Sequence, residues 1–213
     1  MARILITSGP TRQYLDPVRY LTNASSGRMG AALAAAAIEL GHSVTIVSGP
    51  VEIAYPPEAE IINVVSTEEM LAAARQAFEH SDGLIGAAAP CDYRPERVEP
   101  QKIAKTGEPL LLQLLETDDV VATLAAEKGQ RWVVGFALET DDHRLRALAK
   151  LERKRCDLMV SNGVEAMNAL DNRVEILDPA GAVLREASGS KEAVAREILA
   201  IIQERLIARR GKA

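Results

Sequence analysis

Short apolar, β-branched runs alternate with stretches of helical period along most of this chain, and that alternation narrows the fold more than any other feature. Ile4–Ser8, Ser43–Ser48, Ile61–Val65, Leu84–Ala89, Trp132–Phe136 and Leu158–Ser161 read as strands. Helix-like stretches of about 10–14 residues separate them. Ala31–Leu40 stops at Gly41, a good C-terminal cap, while Ser66 and Glu69 form a capping-box pair opening a helix to about Phe78. Repeated strand–helix units place helices on both faces of a mainly parallel sheet, so the expected fold is α/β, a Rossmann-like doubly wound sheet. Two places break the alternation. Residues 92–109 carry prolines and charges without periodicity, which makes a flap over about 94–109, and Leu110–Glu116 reads as an additional strand. Arg173–Leu177 and Val183–Glu186 flank Asp178-Pro179-Ala180-Gly181, a hairpin over about 173–187, and a helix over about 190–210 follows.

With 213 residues the chain fits a single domain over 1–213. Aromatics make up only 3% of it, so Ala, Val, Leu and Ile must fill the core. A net charge of −5 argues against a nucleic-acid binder, which would present a basic face. Cys91 and Cys156 form neither a disulfide framework nor a metal signature, and His42, His80 and His143 stand apart from other ligands. No apolar run approaches the ~20 residues that span a bilayer, and no leader-like segment opens the chain, so the expected location is the cytoplasm. Hairpins added to a parallel sheet cover an edge or pair with a second subunit, which leads us to expect a homodimer. The basic cluster Arg209-Arg210-Gly211-Lys212 reads as a solvated helix end.

The joint between the first strand and the first helix is the outlier. Such joints usually take about two to six residues. This one holds Gly9-Pro10-Thr11-Arg12, Asp16-Pro17-Val18-Arg19-Tyr20 and Asn23-Ala24-Ser25-Ser26-Gly27-Arg28-Met29-Gly30. It ends in Ser-Ser-Gly where free N–H groups and partial positive charge collect, a cradle for phosphate. The serines read equally as ordinary helix caps, Asn23 as a turn cap, and Gly27 and Gly30 as packing glycines. The approach loop with Thr11, Arg12, Asp16 and Arg19 has no packing rationale in the sequence, and this tips the balance toward a phosphate site. The G-x-G-x-x-G fingerprint directly after a strand is missing, and so is the Walker lysine motif.

Three further clusters carry chemistry. Ala87-Ala88-Ala89-Pro90-Cys91-Asp92 follows the fourth strand, where small residues let a flat ligand approach the backbone; Asp92 suits either a ribose hydroxyl or a loop cap, and Cys91 a small buried filler. Lys102-Ile103-Ala104-Lys105 is either solvated charge or a pair of cations on a lid, able to neutralise a polyphosphate. Phe136 ends a strand where a base could stack or where it could serve the core. Lys150 and Lys154 are spaced i, i+4, which fits anion binding as well as an exposed helix face.

These clusters, in this order, resemble the phosphopantothenate–cysteine ligase family, also called phosphopantothenoylcysteine synthetase, in its bacterial CTP-dependent type. The resemblance runs from Ile4 to about Asn172. It rests on Thr7–Arg12, Asp16–Tyr20, Asn23 with Ser25–Gly30, Ala87–Ala89 with Asp92-Tyr93-Arg94, Lys102–Lys105 and Gly135-Phe136-Ala137-Leu138-Glu139-Thr140. It implies joining of 4′-phosphopantothenate to L-cysteine through an acyl-cytidylate, with CTP consumed, Mg2+ accompanying the triphosphate, and CMP and pyrophosphate released. It further implies that Asn23 contacts the intermediate and serves the cysteine step, with Gly9, Thr11, Arg12, Asn23 and Arg28 toward the substrate. Ser25, Ser26 and Gly27 would lie against the triphosphate. Ala88, Asp92, Lys102 and Phe136 would form the nucleotide site, with Lys102 also serving the first chemical step. Lys102 and Lys105 would act catalytically from a mobile flap closing over the intermediate; the spacing of Lys150 and Lys154 adds that pair to the nucleotide site. The family's flap commonly reads Lys-x-Lys-Lys, and here Ala104 replaces the middle lysine. The flavin-dependent decarboxylase to which bacterial members are commonly fused has no counterpart in this sequence; a free-standing ligase and a piece of a fusion both fit. The competing readings are the same ligase using ATP, and a catalytically silent nucleotide-binding module. A dehydrogenase of the short-chain type would show a glycine-rich turn and a Tyr-x-x-x-Lys pair, and the sequence has neither.

Overall fold

A computed structural model describes residues 1–139, 143–163 and 172–208; Thr140 of the Gly135–Thr140 motif and the cluster 209–212 lie outside the described residues. Its centre is an eight-stranded sheet. The strands are β1 (Arg3–Ser8), β4 (Ser43–Ser48), β5 (Glu60–Asn63), β6 (Gly83–Gly86), β9 (Trp132–Glu139), β10 (Leu158–Gly163), β11 (Asn172–Leu177) and β12 (Val183–Gly189). They lie in the order β12-β11-β10-β9-β6-β1-β4-β5, parallel from β10 across to β5 and antiparallel at the β10–β11–β12 edge. Two small two-stranded sheets stand beside it: β2 (Arg12–Tyr14) with β3 (Tyr20–Thr22), and β7 (Tyr93–Pro95) with β8 (Leu114–Glu116).

Successive side chains of a strand face opposite layers, and the core divides on that rule. Ile4 and Ile6 of β1, Ile46 of β4, Ile85 of β6 and Val160 of β10 meet α1 (Arg28–Glu39) and α5 (Lys191–Ile202). Leu5, Val47, Leu84 and Met159 face the other way, toward α2 (Thr67–Glu79), α3 (Val120–Ala126) and α4 (His143–Arg153). The Ala-rich face of α1 lets it sit close to the sheet, with Ala32, Leu33, Ala34, Ala36 and Ala37 all buried. α5 lies along α1, tied by a two-pronged Arg196–Glu39 pair and by His42, whose Nδ1 accepts from the Ala2 N–H while Nε2 meets Gln203 Oε1 at 2.9 Å.

The doubly wound, mainly parallel sheet with an added hairpin is the expected architecture, and most differences lie at element ends. At the 178–181 turn Asp178 Oδ1 accepts from Ala180 and Ala182, and Gly181 takes φ 82°. The last helix gives way to a π-helical turn at Gln203–Ile207. Three expectations need correction. The additional strand is only Leu114–Glu116, and it pairs with Tyr93–Pro95 inside the segment read as aperiodic, because Pro109 and the exposed leucines before Gln113 stay outside any ladder. The fourth strand stops at Gly86, and Ala89 keeps only a single bridge to Pro10. β9 continues to Glu139, so Phe136 lies within a strand rather than at its end.

From β1 the chain steps to β4 and β5 on one side, then crosses through α2 to β6 on the other. The order of strands therefore reverses between β1 and β6, and such a reversal opens a crevice at the strands' carboxyl ends.

Candidate active site

The joint between β1 and α1 fills that crevice, and contrary to the sequence reading it is packed. Thr11 is fully buried; its hydroxyl accepts from the Cys91 N–H at 2.8 Å and shares a 2.8 Å hydrogen bond with Thr67. Gln13, also buried, donates to Glu68. Arg12 stacks 4.6 Å above the Tyr20 ring across the β2–β3 ladder. Gly9 and Thr11 are thus enclosed, and Arg12 has an aromatic partner on its own hairpin.

The start of α1 also differs from expectation. Neither Ser25 nor Ser26 caps it; the N-cap is Gly27, at φ 74°, a left-handed conformation open to glycine and strained for other residues. The cap therefore brings no side-chain oxygen, and the first N–H groups of the helix have no side-chain cap. Close packing fixes the next glycine. A Cβ at Gly30 would lie 2.1 Å from Ser8 Oγ, whose hydroxyl donates to the Gly27 carbonyl. Arg28, the first helical residue, is exposed.

Asn23 bridges the two sides of the crevice. Its Nδ2 donates to the carbonyls of Pro90 at 2.8 Å and Ala89 at 3.3 Å. That same stretch of backbone is gripped from behind, because Thr67 and Thr117 hydroxyls donate to the Cys91 carbonyl. Cys91 is 5% exposed, with its thiol directed at the Thr11 and Leu21 carbonyls; burial pushes the thiol pKa up. It is a filler, as its sequence context suggested, and stays protonated at neutral pH.

Beyond Pro90 opens a cavity of about 440 Å³. Ala88, Asp92, Phe136 and Lys154 line it, four of the residues singled out in the sequence. Lys150 lies on α4 and does not line it, while Lys154 stands just past that helix's end; Lys102 and Lys105 are exposed on the segment between β7 and β8. The structure adds Thr117, Asp118, Asp119 and Arg153 to the lining. Asp119 caps α3, accepting from the Ala122 N–H at 3.0 Å, and pairs with Lys154 at 2.9 Å. Burial would raise its carboxyl pKa, but Lys154, the Ala122 N–H and Arg153 hold it below the ordinary value. The available signal was an aspartate directly before Val120-Val121-Ala122, an N-cap pattern hidden by the strand assigned just upstream.

The site is a strand-end crevice with a free helix N-terminus on one wall, an acidic and basic cavity on the other, and an asparagine spanning them. Residues 1–206 match the family described as the DNA/pantothenate metabolism flavoprotein C-terminal domain. The chain belongs to that family. It is 44% identical over 209 residues to the coenzyme A biosynthesis bifunctional protein CoaBC of Vibrio parahaemolyticus, covering 94% of this chain and 52% of that protein. To the CoaBC of Escherichia coli it is 46% identical over 165 residues, 76% of this chain and 41% of that one. The chain thus spans about half the length of the curated relatives it matches. The crystal structure of the C-terminal domain of a CoaBC superimposes with a TM-score of 0.83 at 37% identity, over 96% of this chain and 95% of that one. In this family member no described helix is long and apolar enough to cross a membrane.

Proposed function

We propose that this chain joins 4′-phosphopantothenate to L-cysteine in coenzyme A biosynthesis, with CTP as the activating nucleotide. The observation that carries the reading is Asn23, fastened to Ala89 and Pro90 at the border between the free α1 N-terminus and the cavity. Membership of the pantothenate-metabolism family and the likeness to the CoaBC C-terminal domain support it.

The chemistry runs in two steps. A carboxylate oxygen of 4′-phosphopantothenate attacks the α-phosphorus, the bond to the β-phosphate oxygen breaks, and pyrophosphate leaves. The amino nitrogen of cysteine then attacks the activated carbonyl carbon; the C–N bond forms, the C–O bond to the α-phosphate breaks, CMP departs, and the amine's proton passes to solvent. Holding the reactants together and offsetting phosphate charge supply most of the rate. The α1 N-terminus with Ser25, Ser26 and Gly27 receives phosphate oxygens, and Lys102 and Lys105 approach from the flap. Ala88, Asp92 and Phe136 face the nucleoside, and Lys154 the phosphates once it exchanges Asp119 for them. With Nδ2 committed to two carbonyls, Asn23 presents Oδ1 as an acceptor for the attacking amine. Asp92 and Asp118, exposed in the cavity lining, would help hold a triphosphate-bound Mg2+, which would supply neutralisation of the charge on the leaving pyrophosphate.

A homodimer and a cytoplasmic setting belong to the same reading. Leu110, Leu111, Leu112 and Leu114 are all exposed beside the open edges of β7–β8, a surface suited to a second copy. Two free cysteines are in keeping with a reducing compartment. Mass spectrometry tests the activity: 4′-phosphopantothenate, cysteine and Mg2+ are supplied with CTP or ATP, beside an Asn23→Ala control. Phosphopantothenoylcysteine with CMP is expected, with the control stalled at the acyl-cytidylate. Product with ATP alone would replace the nucleotide, and no product with either would favour a silent nucleotide-binding module.

A further inference from the structure

Asp16 is a carboxylate with no accessible surface, at the tip of the β2–β3 hairpin. A buried charge is tolerated where hydrogen bonds and a counter-charge satisfy it, and here the two oxygens divide that task. Oδ1 accepts from the N–H groups of Val18 and Arg19, both at 2.8 Å, which folds the hairpin tip. Oδ2 accepts from Arg19 Nη1 at 3.1 Å and from the Ile103 N–H at 3.1 Å. Arg19 Nη1 then donates to the Ile103 carbonyl at 3.0 Å. Both backbone groups of Ile103 are therefore held by one ion pair, both halves of which belong to the hairpin tip. A second tie lies close by, from the Glu99 N–H to the Leu15 carbonyl.

Ile103 separates Lys102 from Ala104 and Lys105, and it is half-buried while those three neighbours are exposed. Along this run the chain makes its deepest contact at the residue between the two cations. A carboxylate needed only for the turn would use one oxygen; the second is spent on a residue far along the chain.

We infer that Asp16 is a positioning residue for the flap: with Arg19 it fixes the backbone of Ile103, and so sets the root from which Lys102 and Lys105 reach the triphosphate. The inference rests on the ligase reading for what the lysines meet, and on the hydrogen bonds alone for the clamp. The hairpin at the first strand and the flap beyond the fourth then move as one body at Ile103, and closure takes place on either side of it.

Asp16→Asn separates the two tasks. The amide oxygen can keep Val18 and Arg19, whereas its NH2 group meets the Ile103 N–H and the guanidinium, donor against donor. Hydrogen exchange on the full chain should show the Ile103 amide opening about ten-fold or more faster, with the Val18 and Arg19 amides still protected. CTP with Mg2+, followed by calorimetry, should bind about ten-fold more weakly to D16N. In a background carrying both Lys102→Gln and Lys105→Gln the same change should add almost nothing, since a residue acting through those two lysines cannot act once they are gone. Unchanged Ile103 protection in D16N, or losses of affinity that add when D16N is combined with the two lysine changes, would overturn the inference. Should D16N not fold, Arg19→Lys, which cannot reach Asp16 and the Ile103 carbonyl together, takes its place with the same readouts. If the wild type binds no CTP, the choice of CTP fails, the same titration is made with ATP, and Ile103 exchange decides the clamp in either case.

Discussion

Leu33, Ile85 and Val133 in the main sheet and its helices have no exposed surface, whereas Leu111, in the excursion between β7 and β8, is 91% exposed. The sheet is held by interleaved aliphatic side chains on two faces. The excursion is held to the rest by point attachments, Asp16 to Ile103 and Leu15 to Glu99, its own two ends are joined by Gln113 and Glu96, and the strand before it is tied by Arg94 to Glu68. A packed element has one position, since moving it opens voids. One held at a few polar points can be released or re-seated without disturbing the core. The protein thus sets the crevice walls by packing and the Lys102–Lys105 segment by hydrogen bonds.

Substitutions on the two sides should separate stability from activity. Leu33→Ala should lower unfolding free energy by about 3 kcal/mol and Tm by roughly 10 °C, with activity per folded molecule kept, as urea titration beside the assay would read. Lys102→Ala should do the reverse, cutting the rate of pyrophosphate release about 100-fold with Tm unchanged. A Lys102→Ala protein that melted much earlier would break the contrast. Leu111→Ser should leave Tm of the isolated fold alone while shifting the light-scattering mass toward one chain; a wild type already at one chain's mass removes the dimer. His42 offers a pH test within the packed side. Burial lowers its pKa, opposed by Gln203, and the neutral ring matches its partners. A base whose folded pKa is lowered adds stability above its unfolded value, near 6.5, and loses it as pH falls through the folded value. Urea midpoints should therefore drop between pH 7.5 and 5.5, and less so in His42→Asn. Arg94→Ala, which removes a half-exposed ion pair to Glu68, should cost about 0.5 kcal/mol or less.

The same division governs how much the sequence disclosed. Parallel strands buried on both faces are continuous apolar runs, so β1, β4, β6, β9 and β10 were legible to within a few residues. β2 and β7, Arg12-Gln13-Tyr14 and Tyr93-Arg94-Pro95, were not. They are three residues long and polar, and what holds them comes from distant positions: Thr67 and Glu68 for the first hairpin, Glu116 for the second. Of the residues singled out, Ala88, Asp92, Phe136 and Lys154 line one cavity, and Asn23 is fastened to the carbonyls of Ala89 and Pro90 beside it. The serines failed as caps because Gly27 takes a left-handed turn that no local pattern announces. Asp119 was missed because its role as a cap appears only when the helix boundary is known, and Asp16 was noticed without its partner, since nothing in the sequence ties it to Ile103.

The seam between β1 and β6 has a consequence for a chain that is still being made. β1 takes its two neighbours from later sequence, β4 from Ser43 and β6 from Gly83. A nascent protein can zip β1, α1, β4 and β5 together once about residue 63 has emerged, and must then wait for the next strand on the opposite side. Through that interval one edge of β1 offers a row of unsatisfied amides flanked by Ile4, Leu5 and Ile6, which can pair with a neighbouring polypeptide instead. The reversal of strand order that creates a place for ligands also makes this edge the one that most needs shelter during synthesis.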